Sequence, residues 1–327
     1  MKITLISAGI GAMIGLLRAD ANGFAVEALL GALVGTVIGF GCSLSEILVF
    51  SNAQLRTVRR LPPVSLGVLR AVAFGGIIVL GLCVPSLLTA HAPPWRHPDF
   101  TEVFAISAGV AIVMSIGVEI MRFLGAEAAL SLVSGRYNRP RLEERVVLFA
   151  DLIGSTALAE RIGELEFHVF LQNVALDLAA PIEKARGNVH RYVGDAVIVT
   201  WPIDRGIEDA ACLVCAKEMH KVLNRHAPNY RERFNTEPML RIALHCGPVA
   251  AGEIGDWKKE IALLGDTMNT AARLETAAKV LNETTVLSDA LVERLPAGMS
   301  AGLRQLPPYS AHGKREDLML WALKKSH

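Results

Sequence analysis

The stretch Phe149-Ala150-Asp151-Leu152-Ile153-Gly154-Ser155-Thr156 decides how the second half of this chain is read. The apolar run 146–150 ends on an aspartate and is followed by turn residues, the pattern of a short buried strand. Gly154-Ser155-Thr156 then opens a helix, whose first backbone amides have no partners within the helix and favour an anion. Further along, Gly194-Asp195 forms a turn between two strand-like runs, 188–193 and 196–201. Two carboxylates at neighbouring strand ends suit a pair of divalent metals, and free amides at a helix start suit a polyphosphate. Together they predict nucleotide chemistry.

Working outward, strands are expected at 146–151, 188–193, 196–201, 239–246, 248–254, 259–264 and near 317–323. Helices are expected near 155–165, 166–186, 206–226 and 266–280. Helices mixed with mostly hairpin-linked strands predict an α+β unit with helices packed on one sheet.

The 327 residues suggest about two domains. A mean hydropathy of +0.38, with 52% hydrophobic residues, is too high for an ordinary soluble protein. Of the 33 basic and 32 acidic residues, only 14 fall within residues 1–125. The chain reads as a membrane half, 1–123, a linker, 124–145, and a cytoplasmic catalytic half, 146–327. A net charge of +1 and the lack of a basic run argue against nucleic-acid binding. Cys212 and Cys215 form a CxxC with no second pair, inside an Ala-rich helical run; a packed helix accounts for them better than zinc or redox use.

Four apolar segments, Ile3–Leu17, Phe24–Phe50, Ala71–Ala90 and Val103–Phe123, predict a four-span helical domain. The last three are long enough for a bilayer core, which takes about 20 helical residues. The first has a second reading as a signal peptide, with Ala19-Asp20-Ala21 imitating a cleavage site. Arg56, Arg59 and Arg60 follow the second span, and Arg122, Arg136, Arg139, Arg141 and Arg145 follow the fourth. The positive-inside rule then places the 51–70 loop and everything after 124 in the cytoplasm, under the inner (plasma) membrane. Gly31, Gly35 and Gly39 form a small-residue helix face, readable equally as a dimer seam or as packing within one protomer. Glu27, Glu46 and Glu119 fall near span ends, Glu119 beside Arg122, which suits interfacial anchoring. The linker breaks at Gly135 and Arg139-Pro140, and reads as a coupling element or a passive tether.

Three motifs in order, FADLIGST, RYVGD and LLGDTMNTAARLE (Leu263–Glu275), resemble those of the class III nucleotidyl cyclases, the adenylate and guanylate cyclases. The resemblance covers about 146–323 and implies a ferredoxin-like core with an antiparallel-rich sheet. It also implies a membrane-bound adenylate cyclase that makes cyclic AMP and pyrophosphate from ATP. By motif position, Asp151 and Asp195, with the carbonyl of Leu152, match the family's ligands for two Mg²⁺ or Mn²⁺ ions per site. The amides of Gly154, Ser155 and Thr156 match its terminal-phosphate cradle, and Lys258 and Lys314 lie near its phosphate-contacting basic positions. Asn269 and Arg273 match the transition-state pair, four residues apart on one helix face. The family shares each site between two protomers, which implies a homodimer.

Two positions depart from the family. Arg191 stands where adenylate cyclases carry lysine, and Ala262 where they carry aspartate or threonine. Alanine cannot accept a hydrogen bond from the adenine amino group, while Arg191 can donate to adenine N1 or to guanine O6 and N7. A guanylate cyclase and a catalytically silent nucleotide-binding receptor are the alternatives this leaves.

Overall fold

The computed structural model describes residues 24–50, 63–89, 100–125, 134–310 and 317–324, with Gly9 and Ser131 as isolated positions. The chain divides into two compact units, Met1–Ile120 and Met121–His327.

In the first unit, α1 (Phe24–Ser45) runs into a π-helical turn (Glu46–Phe50), followed by α2 (Pro63–Thr89) and α3 (Phe100–Leu124). Helices α1 and α2 approach closely through glycine: a Cβ on Gly41 would sit 2.7 Å from the Ile77 side chain, and one on Gly81 would strike Ile38. Gly35 and Gly39 are buried and Gly31 half-buried, so the glycine face packs within the protomer. Arg70 on α2 is buried and ties the three helical segments together: Nη1 reaches Glu119 at 2.6 Å and Nη2 reaches Glu46 at 3.0 Å. Glu119 is thus a partner of Arg70, while the side chain of Arg122, expected beside it, lies outside those described.

Two stretches, Ser65–Val84 and Phe100–Met121, are long and apolar enough to cross a membrane, and Leu29–Ser45 is apolar but shorter. The four-span expectation is thus matched by two qualifying helices among the described residues. The first expected span, its signal-peptide alternative and the arginines at 56, 59 and 60 lie outside the described residues.

The second unit is built on a single sheet. Its elements are β1 (Arg141–Leu152), α4 (Ser155–Ile162), α5 (Glu164–Lys184), β2 (Asn188–Val193), β3 (Ala196–Pro202), α6 (Ile203–Ile207) and α7 (Ala211–Phe234). There follow β4 (Leu240–Ile254), β5 (Glu260–Leu264), α8 (Asp266–Val280), β6 (Thr285–Ser288), α9 (Asp289–Val292), β7 (Leu303–Gln305) and β8 (Leu320–Leu323). The strand order is β2-β3-β1-β4-β6-β8-β7, with β5 added to β4. Among the described residues, only the β4–β6 pair is parallel. The first four strands and their helices make the ferredoxin-like α+β core.

Strand β1 is buried on both faces, hence its continuous apolar run. Val146, Leu148, Ala150 and Leu152 point to the core that α5 and α7 cover with Phe170, Leu178, Leu213, Met219 and Leu223. Val147 and Phe149 face the other way, in clusters with Ala271, Leu274 and Ala277 of α8. Alternation puts Asp151 on that second face.

Several elements differ from the sequence pattern, among them the short β7 and α9, which it did not show. Strand β1 begins at Arg141, because the polar run 141–145 pairs with Gly247 to Ala251 of β4. Strand β4 continues through Gly247-Pro248, where a break was expected. Pairing with β1 carries across that point, while the other edge of 245–249 lies between the registers of β6 and β5, so proline's missing donor is tolerated. Helix α7 continues past Pro228, which lies on its exposed face. Strand β6 was not expected; its four residues, all buried, are too few to show a period.

Candidate active site

The sheet topology brings the two aspartates together. Asp151 sits one residue before the end of β1. The β2–β3 hairpin closes at the pair Val193↔Ala196, and β3 pairs β1 as far as Ala150↔Val197, so Gly194-Asp195 turns just past the end of β1. Gly194 has a φ of +60°, a conformation that favours glycine. The Asp195 carboxyl group lies close enough to Asp151 to act on it directly. Burial, then the negative charges of Asp195 and Glu275, push Asp151 up to about 6, against the pull of Arg241. Two acids so placed cannot both ionise comfortably without a cation.

Among the described residues, no three His, Cys, Asp or Glu side chains form a metal cluster. The donor set is therefore two carboxylates, completed by backbone, water or substrate oxygens. Such a hard, oxygen-only set fits Mg²⁺ or Mn²⁺. The Leu152 side chain is buried in the core and carries no donor atom, so only its backbone carbonyl could take such a role.

Beside this pair lies an uncapped helix start. Gly154 is the N-cap of α4, in the left-handed region at φ 76° and ψ 18°, and no side chain caps the helix. Ser155 is already within the helix, and neither it nor Asp151 serves as cap. The Ile153 amide donates to the Met239 carbonyl at 2.9 Å, which pins the loop ahead of the first turn.

Asn269 and Arg273 share one face of α8. Apolar burial of Ala271, Leu274, Ala277 and Ala278 fixes that helix on the sheet, and the Thr267 hydroxyl donates to the Pro248 carbonyl at 2.7 Å. Asn269 is left exposed and Arg273 half-buried. Within this chain, the cation acting on Asp151 is Arg241, its partner across the β1–β4 register. Arg241 Nε is buried without a hydrogen-bond partner among the described groups. Sequence reasoning missed Arg241 and Glu275. Arg241 carries a signal, being a lone charge in the apolar strand LRIALH, whereas Glu275 is found only once α8 is laid on the sheet.

The remaining expected residues spread along the same region. Lys258 is exposed in the tight β4–β5 connection, where a Cβ on Gly255 (φ +100°) would collide with the Lys258 carbonyl. Lys314 lies outside the described residues. Arg191, on β2, pairs through Nη2 with Glu260 Oε2 of β5 at 3.0 Å. Ala262 is half-buried, two residues beyond Glu260. The CxxC cysteines, Cys212 and Cys215, are buried in α7, and burial pushes both thiols up to about 12.

A buried polar cluster holds the far end of β1. Arg145 donates to Glu143 at 2.7 Å, to the Tyr137 hydroxyl at 2.8 Å and to the Thr200 hydroxyl at 3.3 Å. Arg136 donates to the other Glu143 oxygen at 2.8 Å. The Tyr137 ring clusters with Val249, Ala251 and Leu263, against which Ile261 and Met268 also pack. Tyr137 thus braces the strand carrying Ala262 and the first turn of the helix carrying Asn269.

Comparison with known proteins agrees with this fold. The family described as the adenylate and guanylate cyclase catalytic domain matches residues 138–323. The chain is 37% identical over 221 residues to adenylate cyclase 2 of Rhizobium meliloti (strain 1021), covering 68% of this chain and 60% of that protein. It is 26% identical over 184 residues to an adenylate cyclase of Anabaena cylindrica, covering 54% and 36%. It therefore spans less than two thirds of either relative's own length. Among solved structures it is similar to a bacterial light-regulated adenylyl cyclase, with 18% identity, a TM-score of 0.55 and coverage of 68% of this chain and 65% of that one. It is also similar to the adenylyl cyclase CyaB from P. aeruginosa, with 18% identity, a TM-score of 0.51 and coverage of 58% and 97%. At that identity the likeness is one of fold. The match over more than half its length, on a sheet that brings the two motif aspartates together, means that this chain belongs to the adenylate and guanylate cyclase catalytic-domain family.

Proposed function

We propose that this chain is a membrane-anchored adenylate cyclase, converting ATP to 3′,5′-cyclic AMP and pyrophosphate at sites shared between two copies of itself. The observation that carries this is the crowded Asp151–Asp195 pair beside the uncapped start of α4. It combines a cation-seeking carboxylate pair with an anion-seeking set of amides. The 37% identity to an adenylate cyclase supports the same reaction.

In this reading the ribose 3′-oxygen attacks the α-phosphorus in line. A 3′-O–P bond forms, the bond to the β-phosphate bridging oxygen breaks, pyrophosphate leaves and the hydroxyl proton passes to solvent. Asp151 and Asp195, with the Leu152 carbonyl, hold two divalent cations. When bound, these supply Lewis acidity at the 3′-oxygen and neutralise the leaving phosphates. The amides of Gly154, Ser155 and Thr156 hold the terminal phosphates, with Lys258 and Lys314 as further basic contacts. Asn269 of the second copy orients the ribose, and the fixed guanidinium donors of Arg273 meet the charge that builds on the α-phosphate. Positioning and preorganised charge supply most of the rate, with no side chain serving as general base.

The N-terminal half serves as a four-span anchor in the inner (plasma) membrane, with the catalytic half in the cytoplasm. A C-terminal reporter that is active only outside the cytoplasm should stay silent.

The deciding experiment is turnover by the purified full-length chain with Mn²⁺ and either ATP or GTP, reading both cyclic nucleotides. Wild-type activity in Asp151→Ala would sink the metal assignment. Mixing inactive Asp151→Ala with inactive Asn269→Ala should restore one of two sites. Absence of complementation in mixed dimers shown to form would refute the shared site.

A further inference from the structure

Position 262 offers no acceptor for a purine amino group, yet the structure supplies a carboxylate two residues earlier. We infer that Glu260, held by Arg191, is the purine-reading acceptor of this chain. The inference deepens the reading above, that a purine triphosphate is cyclised here, and it assigns specificity to a residue outside the three motifs.

The geometry comes from strand alternation. On β5, Ile261 and Leu263 turn inward against Tyr137 and Val249. Glu260, Ala262 and Leu264 therefore share the opposite, open face. Glu260 and Ala262 lie about two strand rises apart on that face, roughly 7 Å. A glutamate carries its carboxylate on a flexible stem able to span much of that distance, so Glu260 can reach the space above the Ala262 methyl group. Arg191 arrives from β2, a strand far from β5 in the sheet order, and meets Glu260 at 3.0 Å. Both side chains remain accessible, 43% and 50% exposed.

As an isolated surface ion pair, this contact would contribute little to stability. As a recognition pair, its chemistry is complete. One guanidinium nitrogen engages Glu260 Oε2, and other N–H groups of Arg191 remain to donate to a ring nitrogen. The second carboxylate oxygen of Glu260 remains to accept from an exocyclic amine. Adenine presents that combination on adjacent atoms, an acceptor at N1 and a donor at N6. Guanine presents an acceptor and a donor on the same edge in the opposite order, O6 accepting and N1–H donating. The pair therefore reads an adjacent acceptor and donor on the edge of a purine, with Ala262 leaving room for the base.

The test uses the full chain with ATP, GTP and purine riboside triphosphate, the ATP analogue lacking the 6-amino group. Two quantities are read for each variant: kcat/KM, and equilibrium binding by displacement of a fluorescent nucleotide. The wild type should prefer ATP over the analogue by about 10- to 100-fold, the range for one hydrogen bond to a charged group. In Glu260→Ala that preference should collapse to within about threefold, through loss of ATP rather than gain of analogue. Glu260→Gln, which keeps a carbonyl acceptor, should retain part of it. Arg191→Ala should weaken ATP and the analogue alike, since both keep N1. An ATP-to-analogue ratio unchanged in Glu260→Ala would overturn the assignment while leaving a cyclase. A chain that binds ATP selectively through Glu260 but forms no cyclic nucleotide would overturn the cyclase reading and keep the assignment. A chain that binds no purine nucleotide overturns both.

Discussion

The two ends of strand β1 carry charge on the same face of the same strand, yet their electrostatics are opposite. At its start, Glu143 receives hydrogen bonds from Arg136 and Arg145, and Arg145 also engages Tyr137 and Thr200. Burial pushes the Glu143 carboxyl up, but the two arginines outweigh it and hold the group below its usual range. At its end, Asp151 is pushed up to about 6 by burial and by the neighbouring acids Asp195 and Glu275. Between them, Val147 and Phe149 pack toward α8. The paired end settles the fold, while the crowded end holds repulsion that only a proton or a metal relieves. Such local conflict on an otherwise consistent strand is what a functional site leaves behind.

The largest expected effect separates the two ends by sign. Asp151→Asn should lower cyclase activity by about 10³-fold, as loss of an anchor for the transition-state charge does. The same substitution should raise the unfolding midpoint of the metal-free chain at pH 8, because a repelling charge is gone. Activity and stability thus move in opposite directions. A fall in both, measured by turnover and thermal denaturation, would break the contrast.

Arg145→Met is the counterpart at the other end. Removing the buried member of such a pair costs up to about 3–5 kcal/mol, since the half-buried Glu143 is left with Arg136 and Tyr137. Denaturant midpoints should show the loss. The double variant Glu143→Leu/Arg145→Met should recover most of it, because no uncompensated charge then remains. A double variant as unstable as the single one would show that Arg145 acts through Thr200 and Tyr137 instead.

Metal and pH should act on the two ends with opposite sign. Asp151 has a folded pKa of about 6, above the unfolded value of about 3.9. Its stabilising contribution is therefore complete below the unfolded value and lost as pH rises through about 6. Glu143, with its folded pKa lowered, contributes stability that is present above its unfolded value and lost as pH falls through the folded one. A divalent cation replaces the proton at the crowded end. At about 100 times its dissociation constant it adds roughly 2.7 kcal/mol, and the gain should be larger at pH 8 than at pH 5. Thermal shifts with Mn²⁺ at the two pH values check this; equal gains would remove Asp151 from the metal site.

This contrast also explains what could be read from the residues alone. The crowded end was legible, because Asp151 and Asp195 sit in short motifs where the turn residues Gly154 and Gly194 have local reasons to be glycine. The paired end was hidden. The run Arg141-Leu142-Glu143-Glu144-Arg145 has no apolar alternation, and it becomes strand only because β4 runs unbroken through Pro248 to meet it. Glu260 was invisible for the same kind of reason, since its partner Arg191 lies on a strand that does not pair with β5. Ala262, judged alone, looked like a lost function. In the first unit, Arg70 borders an apolar run, and its role emerged only when three helical segments brought Glu46 and Glu119 to it.

Tyr137→Phe sharpens the contrast at lower cost. It removes one hydroxyl that accepts from Arg145 and donates to Glu143, while keeping the ring against Val249 and Leu263. A loss of about 1 kcal/mol is expected from the hydrogen bonds. Because the ring braces the strand of Ala262 and the helix of Asn269, Tyr137→Ala should in addition lower kcat beyond what its unfolded fraction explains. Equal specific activity per folded molecule would confine Tyr137 to stability.

The smallest effect belongs to Glu275, which adds to the repulsion on Asp151 while standing outside the motif-matched ligand pair. Glu275→Gln removes one negative charge without changing the shape of α8. Asp151 then holds its proton less tightly, and the acid limb of the pH–rate profile should move to lower pH by a fraction of a unit. At neutral pH Asp151 is already mostly ionised, so kcat there should change little. The same substitution weakens the attraction for a cation, so the Mn²⁺ concentration for half-maximal rate should rise at pH 8 and converge with the wild type toward pH 5. An acid limb that stays in place while the metal requirement rises would make Glu275 a distant source of field on the cation alone. A limb that moves to lower pH places its charge on Asp151 itself, and the crowded end of β1 is then an arrangement of at least three acids.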